Sequence, residues 1–263
     1  MRIVSWNVNS IRARTERVTT WLHRHEPDIV LLQETKCTNE VFAELAQQWI
    51  ALGYEFAHAG VNQWNGVAIG SRDGVEDVEV GFGGVNQPPF DEPRLISATC
   101  AGIRVHNVYV PNGRELDDPH YLYKLVWLER LRQVVDPERM TLVAGDFNVA
   151  PADIDIYDPS RFRRSTHASP QERAAIQALC DLGLVDVSRL LHPEPGIYTF
   201  WNYRPGQFER NRGLRIDLAL CSPDMAVATQ AVWVDSEERA PLAAGAEGEK
   251  PSDHAPLILD LKM

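Results

Sequence analysis

The sequence predicts an α+β fold, a four-layer sandwich in which two mostly antiparallel β-sheets pack face to face with helices on the outer faces. About a dozen short apolar runs bounded by Gly, Pro and Asn indicate strands, whereas helical periodicity is confined to a few segments. A Rossmann fold is less favoured, because no GxGxxG follows the first apolar run and strands outnumber helices. The chain has 263 residues and no linker-like segment, so we expect one domain over residues 1–263.

The N-terminal part predicts strands and helices in alternation. Ile3–Trp6 and Ile29–Leu32 are continuous apolar runs, typical of strands buried on both faces. Between them, helical spacing relates Ile11, Val18, Trp21 and Leu22. A second helix is expected within Glu40–Leu52, since Gly53 follows as a helix-ending residue.

The middle of the chain predicts antiparallel strands separated by Gly and Pro. These strands are Tyr54–His58, Gly66–Ser71, Val75–Val80, Leu95–Ala101 and Ile103–Val110. A helix is then expected over about Pro119–Val135, with an apolar stripe formed by Leu125, Leu128, Leu131 and Val135.

The C-terminal part begins with the predicted buried strand Thr141–Gly145. Ser169-Pro170-Gln171-Glu172 matches a capping box and predicts a helix that ends at Gly183. The remaining apolar runs predict strands at Arg215–Cys221, near Ala226–Val234 and at Pro256–Leu261, with a loop over Ala240–Lys250.

The charge and the cysteines limit the possible functions. A formal charge of −11 argues against holding nucleic acid through a general positive field, although a local basic rim around an acidic metal site would still bind it. The four cysteines are widely spaced and form no zinc pattern, so we expect reduced thiols. Because we find neither a signal peptide nor an apolar run of about 18 residues, a cytoplasmic protein is expected.

Polar residues follow or begin several otherwise apolar strands. They are Asn7, Glu34, Tyr109, Asp146 with Asn148, Asp217 and, before the last strand, Asp253-His254. Carboxylate and amide oxygens suit Mg²⁺ or Mn²⁺, and a histidine beside a carboxylate suits proton transfer or charge stabilisation. With one histidine near these strand ends, a zinc site is poorly supported. Together the residues indicate metal-assisted hydrolysis.

Each of these residues also has an ordinary structural explanation. Asn7 could cap a helix or form a turn, Glu34 could be a surface carboxylate, and Tyr109 could be a core aromatic with a satisfied hydroxyl. An inactive binding module is therefore a further alternative, since the sequence does not show that the residues converge.

Six motifs in order along nearly the whole chain carry a resemblance to a known family. They are SWNVNSIRAR (5–14), LLQETK (31–36), YVPNGREL (109–116), GDFNVAP (145–151), NRGLRIDLAL (211–220) and PSDHAPL (251–257). The sequence resembles the exonuclease III family of abasic-site endonucleases, part of the endonuclease/exonuclease/phosphatase superfamily. QETK, YVPNG and RGLRID point to the DNA-repair branch.

The resemblance implies roles for the strand-end residues. Glu34 corresponds to the principal metal ligand, with Asn7 and Asp253 as additional or water-mediated ligands. His254 and Asp217 correspond to an Asp-His pair. Asp146 corresponds to the acid that aligns or deprotonates the attacking water or protonates the leaving oxygen, with Asn148 orienting it. Tyr109 corresponds to the phenol beside the scissile phosphate, and Lys36 would balance Glu34.

The resemblance also implies contacts with DNA. Arg12, Asn112 and Arg114 match loops that touch the DNA backbone in the family. Lys36, Arg204, Arg210 and Arg212 are further candidates, although the arginines could also be solvated surface residues. Arg215 lies in the same arginine-rich stretch, and Arg161, Arg163 and Arg164 form a second cluster. A pocket for the baseless sugar corresponds to Phe200, Trp201, Leu214 and Ile216, with Leu214 standing where some members have an aromatic residue.

The function implied is a Mg²⁺-dependent DNA repair nuclease in which Mn²⁺ can substitute. It would cut 5′ to abasic sites in duplex DNA, leave a 3′-hydroxyl, and carry 3′-to-5′ exonuclease and 3′-end-cleaning activity. We expect a monomer that meets the nucleoid through its substrate. The main alternative keeps the scaffold but hydrolyses inositol phosphates, phospholipids or RNA tails, and the arginine loops and RGLRID make it less favoured.

Overall fold

The structure, a computed structural model, describes residues 1–83, 91–240 and 248–262. In the first half of the chain the strands are β1 (Arg2–Asn7), β2 (Ile29–Gln33), β3 (Glu55–Ala59), β4 (Val67–Ser71), β5 (Glu76–Val80), β6 (Leu95–Cys100) and β7 (Ile103–Tyr109). In the second half the strands are β8 (Thr141–Asp146), β9 (Val185–Asp186), β10 (Asp217–Cys221), β11 (Thr229–Val234) and β12 (Leu257–Leu261). The α-helices are α1 (Thr15–His25), α2 (Asn39–Ile50), α3 (Pro119–Val134), α4 (Pro170–Cys180), α5 (Val187–Leu191) and α6 (Pro223–Ala228).

The strands form two six-stranded sheets. The first has the order β11-β12-β1-β2-β4-β3 and the second the order β5-β6-β7-β8-β10-β9. Each sheet contains one parallel pair, β1 with β2 and β7 with β8, and its other pairs are antiparallel. The prediction of two mostly antiparallel sheets is confirmed.

Three apolar clusters define the four layers. The largest lies between the sheets and combines side chains of the first sheet, such as Ile29 and Ile69, with side chains of the second, such as Val105 and Leu142. A second cluster joins the outer face of the first sheet to α1 and α2, and a third joins the outer face of the second sheet to α3 and α4. Because each sheet buries both faces, its central strands are continuous apolar runs.

Several element boundaries differ from the sequence prediction. The strand expected near Ala226–Val234 is wrong at its start, because Pro223 begins a short helix in the first-turn position that proline favours. The short elements β9 and α5 were not predicted. On α3 the stripe is confirmed at Leu128, Leu131 and Val135, but Leu125 is half-buried and Lys124 is fully buried.

Other expectations are confirmed or lie outside the described residues. The capping box is present: Glu172 N donates to Ser169 Oγ at 3.2 Å, and Ser169 N donates to Glu172 Oε2 at 2.9 Å. Most of the loop predicted over Ala240–Lys250 falls in residues 241–247, outside the described part of the chain. Among the described residues, no helix is both long and apolar enough to cross a membrane.

Candidate active site

Strand register brings the predicted polar residues to one edge of the sandwich. In the second sheet, Asp146 at the end of β8 is aligned with Tyr109 on one neighbour and with Asp217 on the other. Asp217 begins its strand, but β10 runs antiparallel to β8, so the two carboxylates meet at the same edge. In the first sheet Asn7 is aligned with Gln33, the residue before Glu34. The strand ends therefore converge, which the sequence alone did not show.

Gly145 allows β8 to approach β7 closely enough to place Asp146. Its φ is +144°, and a Cβ at this position would lie 2.0 Å from the carbonyl oxygen of Val108. A side chain there would force the parallel pair apart. Non-glycine residues with left-handed backbone also gather at this edge, namely Asn9, Glu34, Lys36 and Asn148. Such conformations cluster at functional sites, where the surrounding structure holds them.

Asn7 connects the two sheets at the centre of the site. Its Nδ2 donates to Glu34 Oε1 at 2.8 Å and to Asp146 Oδ2 at 2.9 Å. Glu34, Asp146 and His254 each offer one ligand atom, and these atoms all lie within 4.8 Å of one another. One phosphate-sized group can therefore touch all three residues.

His254 is held between two carboxylates. Its Nδ1 lies 2.8 Å from Asp217 Oδ2, and its Nε2 lies 3.7 Å from Asp146 Oδ2. Burial alone would lower the pKa of the imidazole, but the negative charges of Asp217 and Asp146 raise it to about 10. The ring is consequently a cation at neutral pH, with Nε2–H directed toward the site. Asp217 is fixed in turn, because its backbone N donates to Thr199 Oγ1 at 3.1 Å.

The two acidic residues of the centre have different protonation behaviour. Burial raises the pKa of Asp146 to about 7; the His254 cation opposes this shift, and the charges of Asp217 and Glu34 add to it. Burial also acts on Glu34, but the Lys36 ammonium and the Asn7 amide hold the pKa of Glu34 below its ordinary value. Glu34 is thus a permanent carboxylate, and Asp146 is poised for proton transfer.

The donor set fits a hard divalent cation. His254 carries both ring protons and offers no lone pair, so only carboxylate oxygens in the group of three can hold a metal, and Glu34 is the carboxylate whose pKa stays low. Such oxygens suit Mg²⁺ or Mn²⁺. Asp253 lies outside this group but is linked to it: Asn9 Nδ2 donates to Asp253 Oδ1 at 2.9 Å, and Asn9 N donates to Asn7 Oδ1 at 3.0 Å.

Lys36 belongs to the same hydrogen-bonded chain. Its Nζ lies 2.7 Å from Glu34 Oε2 and donates to Asn9 Oδ1 at 2.5 Å. The structure therefore places Lys36 as the charge partner of Glu34. In this position its ammonium is also at the edge of the site, where a phosphate would approach.

Tyr109 lies on the opposite side of Asp146 from Asp217. The Arg94 guanidinium packs over its ring at 4.7 Å from the centroid. Burial and the charge of Glu34 raise the pKa of Tyr109 well above its usual value. The residue is therefore a neutral phenol that can donate a hydrogen bond.

Asn148 orients Asp146 through the backbone. Its N–H donates to Asp146 Oδ1 at 2.8 Å, and its side-chain Oδ1 accepts from Asn112 Nδ2 at 3.1 Å. Asn148 Nδ2 donates to Val110 O at 3.0 Å. The loops that follow β7 and β8 are thus joined beside the catalytic carboxylate candidate.

The predicted DNA-binding arginines divide into exposed and buried residues. Those at least partly exposed are Arg12, Arg114, Arg161, Arg163, Arg164, Arg204, Arg210 and Arg212, together with the amide of Asn112. Arg215 does not belong with them: it is 1% exposed and forms ion pairs with Asp155 at 2.6 Å and Asp186 at 2.8 Å. Its inclusion in the basic stretch was wrong, because its guanidinium is used inside the fold.

The predicted sugar pocket divides into two parts. Phe200, Leu214 and Ile216 share an apolar cluster, and the Phe200 ring lies 4.9 Å from that of His254. Trp201 packs in a different cluster with Tyr198 and Ala255, and its Nε1 donates to Asn211 Oδ1 at 3.1 Å. The first three residues therefore form an apolar wall beside His254, whereas Trp201 packs in a separate cluster.

Sequence reasoning missed several residues around the site. They are Arg94, Thr199, His167 and the buried pair Lys124 and Glu172. For Lys124 a signal existed, because it stands three residues from Tyr121 and from Trp127, both buried. A lysine on the buried face of a helix requires a partner.

Comparisons with known proteins agree with this geometry. Residues 4–254 match the Endonuclease/Exonuclease/phosphatase family. Exodeoxyribonuclease III of Haemophilus influenzae is 32% identical over all of both chains. Among solved structures, an AP endonuclease from Archaeoglobus fulgidus is 40% identical with a TM-score of 0.91, and the 3′ phosphatase NExo from Neisseria, bound to a product DNA hairpin, is 41% identical with a TM-score of 0.92. Both structural matches cover all of each chain.

Proposed function

The chain belongs to the endonuclease/exonuclease/phosphatase family and to its exonuclease III branch, and from this we propose that it is a metal-dependent DNA repair nuclease. It hydrolyses the phosphodiester 5′ to abasic sites in duplex DNA and leaves a 3′-hydroxyl. It also removes nucleotides and blocking groups, including phosphate, from 3′ ends. The observation that carries the proposal is the convergence of Glu34, Asp146 and His254 within 4.8 Å at the joined edges of the two sheets.

The side chains support attack by water on a phosphate. Asp146, with a pKa near 7 and one oxygen fixed by Asn148 N–H, orients the water and accepts its proton, or donates a proton to the leaving oxygen. The His254 cation, held by Asp217, and the Tyr109 phenol offer hydrogen bonds to the phosphoryl oxygens as negative charge develops.

Glu34 would hold the metal, with Asn7 and Asp253 contributing directly or through water. A bound Mg²⁺ or Mn²⁺ supplies charge stabilisation at the phosphoryl oxygen. One feature supports Glu34 as the main ligand: its carboxylate stays ionised, because the Lys36 ammonium and the Asn7 amide hold its pKa below the ordinary value.

Exposed cations and an apolar wall support DNA as the substrate. We assign contacts with the backbone to Arg12, Lys36, Asn112, Arg114, Arg204, Arg210 and Arg212. The wall of Phe200, Leu214 and Ile216 beside His254 would receive the baseless sugar, whereas Trp201 packs in a separate cluster. All these residues come from one chain, so the site is complete in a monomer. We propose that this monomer works in the cytoplasm, where it meets the nucleoid through its substrate.

Incubation with three defined substrates tests the function. Duplex DNA with one abasic analogue, duplex DNA with a 3′-phosphate at a nick, and inositol phosphates are each supplied with Mg²⁺, with Mn²⁺ and then with EDTA. We expect cleavage of both DNA substrates in the presence of metal, none in EDTA, and no release of phosphate from the inositol compounds. Inositol phosphate turnover without DNA cleavage would favour the alternative, in which the same fold hydrolyses a substrate other than DNA.

We expect the exposed arginines to govern the salt dependence of binding. Arg212→Ala or Arg114→Ala should weaken DNA binding and reduce the slope of log Kd against log salt by about one unit, because each loses one phosphate contact. Fluorescence anisotropy over a range of KCl concentrations measures this slope. The control is Arg132→Ala on α3, where the arginine is paired with Glu129 at 2.7 Å. Unchanged slopes for Arg212 and Arg114 would remove them from the interface.

A further inference from the structure

A lysine without solvent contact lies beneath the two asparagine-bearing loops of the site. We propose that Lys124 is a positioning residue for hydrolysis, whose ammonium fixes the loops that carry Asn148 and Asn112. The inference rests on the proposed nuclease function, since its effect is exerted on Asp146 through Asn148.

The ammonium group is the point at which three separate segments meet. Lys124 Nζ donates to Asn148 O at 2.7 Å and to Asn112 O at 3.2 Å, and it pairs with Glu172. Thr166 Oγ1 lies 3.4 Å away. The side chains of Lys124 and Glu172 are both 0% exposed. An ammonium has three protons, and here they are directed at two loop carbonyls and one carboxylate.

Glu172, the partner of Lys124, is itself held by several hydrogen-bond donors. Besides Lys124, it accepts from Thr166 Oγ1 at 2.7 Å, from His167 N at 3.0 Å and from Ser169 N at 2.9 Å. Because every donor and acceptor around the pair is used, the network is a rigid support for the loops above it.

Asn148 depends on this support. Its φ is +52°, a left-handed conformation that asparagine tolerates better than most non-glycine residues. Its carbonyl accepts from Lys124 Nζ and lies 2.6 Å from His167 Nδ1, while its N–H reaches Asp146 Oδ1. The carbonyl and the N–H belong to successive peptide planes that meet at the Asn148 Cα. Loss of Lys124 would therefore loosen the backbone torsions of Asn148, and the hydrogen bond that orients the Asp146 carboxylate would change with them.

Gly113, in the loop that carries Asn112, shows how closely that loop packs on the lysine. A Cβ at Gly113, where φ is +88°, would lie 2.7 Å from Thr166 Oγ1 and 3.2 Å from Lys124 Cδ. The Asn112 carbonyl, which immediately precedes Gly113, therefore sits close above the lysine stem. Both asparagines are thus tied to one buried charge.

The double variant Lys124→Met/Glu172→Gln removes the charge without leaving an unpaired buried ion. Glutamine keeps an acceptor oxygen for the helix cap, and methionine has a volume similar to that of lysine. We expect the variant to fold but to hydrolyse saturating abasic DNA about 10- to 100-fold more slowly in single turnover, the cost of a misplaced reacting group. Affinity for DNA, measured without metal, should change less than the rate.

A matched control uses the exposed ion pair on the same helix. Arg132→Met/Glu129→Gln changes the same residue classes on α3, where the pair is open to solvent, and should leave the rate unchanged. If Lys124→Met/Glu172→Gln does not fold, Lys124→Gln/Glu172→Gln retains one amide donor and should show a smaller loss in the same direction. A wild-type rate in folded Lys124→Met/Glu172→Gln or in folded Lys124→Gln/Glu172→Gln overturns the inference.

A double-mutant cycle separates positioning from general support. If Lys124 acts through the orientation of the Asp146 carboxylate, its substitution should have little further effect on the rate in an Asp146→Asn background, whereas independent effects would multiply. Multiplying effects would contradict positioning of Asp146. Failure of the wild-type protein to cleave either DNA substrate would instead contradict the proposed function itself, so the two failures are distinguishable.

Discussion

Asp146→Asn is expected to lower the rate of DNA hydrolysis by about 10²- to 10⁴-fold, the usual contribution of a positioned general acid or base. The substitution keeps the size of the side chain and an oxygen that can accept from Asn148 N–H. It removes the group whose pKa lies near 7 and which alone in the centre can exchange a proton at neutral pH. Single-turnover cleavage of abasic duplex DNA at saturating protein measures the effect.

Stability and binding distinguish this loss from misfolding. Burial raises the pKa of Asp146 from its ordinary 3.8 to about 7, so the ionised carboxylate weakens folding as pH rises through that window, and at pH 8 the cost is fully present. The metal-free variant should therefore unfold at pH 8 at a temperature no lower than the wild type. DNA affinity should be retained, and Glu44→Gln on the exposed face of α2 should behave as wild type. Near-normal turnover by Asp146→Asn would refute its role.

The architecture could be predicted because burial is recorded locally in the sequence. β1, β2 and β8 are apolar on both faces, and a strand with that pattern must lie between two layers. The site residues could be proposed from their side-chain chemistry, but their arrangement in space could not be derived from the sequence. A register that aligns Asp146 with both Tyr109 and Asp217 is fixed by pairing between distant segments, which no local pattern specifies.

The errors have the same origin. Arg215 stands among surface arginines in the sequence, but its partners Asp155 and Asp186 lie 60 and 29 residues away. Lys124 lies among apolar residues, and its partners are two loop carbonyls and a carboxylate on α4. A charged side chain looks alike in the sequence whether it faces solvent or a buried partner, so the fold decides its role.

The position of the site residues at the ends of buried strands explains why they could be recognised in the sequence. Each lies at a strand end, where a polar residue interrupts a run of buried ones, and this contrast is visible without a structure. The positioning residues lack this contrast between a polar residue and a buried apolar run, because they lie within helices or loops. Sequence analysis therefore finds the groups that touch the substrate more readily than the groups that hold them.

Glu34→Gln is expected to raise the Mg²⁺ concentration required for half-maximal cleavage by at least about 100-fold, because loss of even an outer metal contact commonly costs 10- to 100-fold in affinity. Glutamine retains an oxygen for the amide of Asn7 but loses the charge that balances Lys36. The uncompensated ammonium, 2.7 Å from the carboxylate in the wild type, would then repel a divalent cation. A Mg²⁺ titration of the single-turnover rate measures the change.

Thermal unfolding gives a measurement that does not depend on activity. A ligand at 100 times its dissociation constant stabilises the folded state by about 2.7 kcal/mol, so Mg²⁺ should raise the unfolding temperature of the wild type and much less that of Glu34→Gln. Asp253→Asn provides the comparison, because Asp253 reaches the centre through Asn9 and lies outside the group of three. Asp253→Asn should lower the metal affinity less than Glu34→Gln does, because a ligand that acts through water contributes less than a direct one. Equal Mg²⁺ stabilisation of Glu34→Gln and wild type would show that the ion is held elsewhere, because a principal ligand cannot lose its charge without weakening the bond.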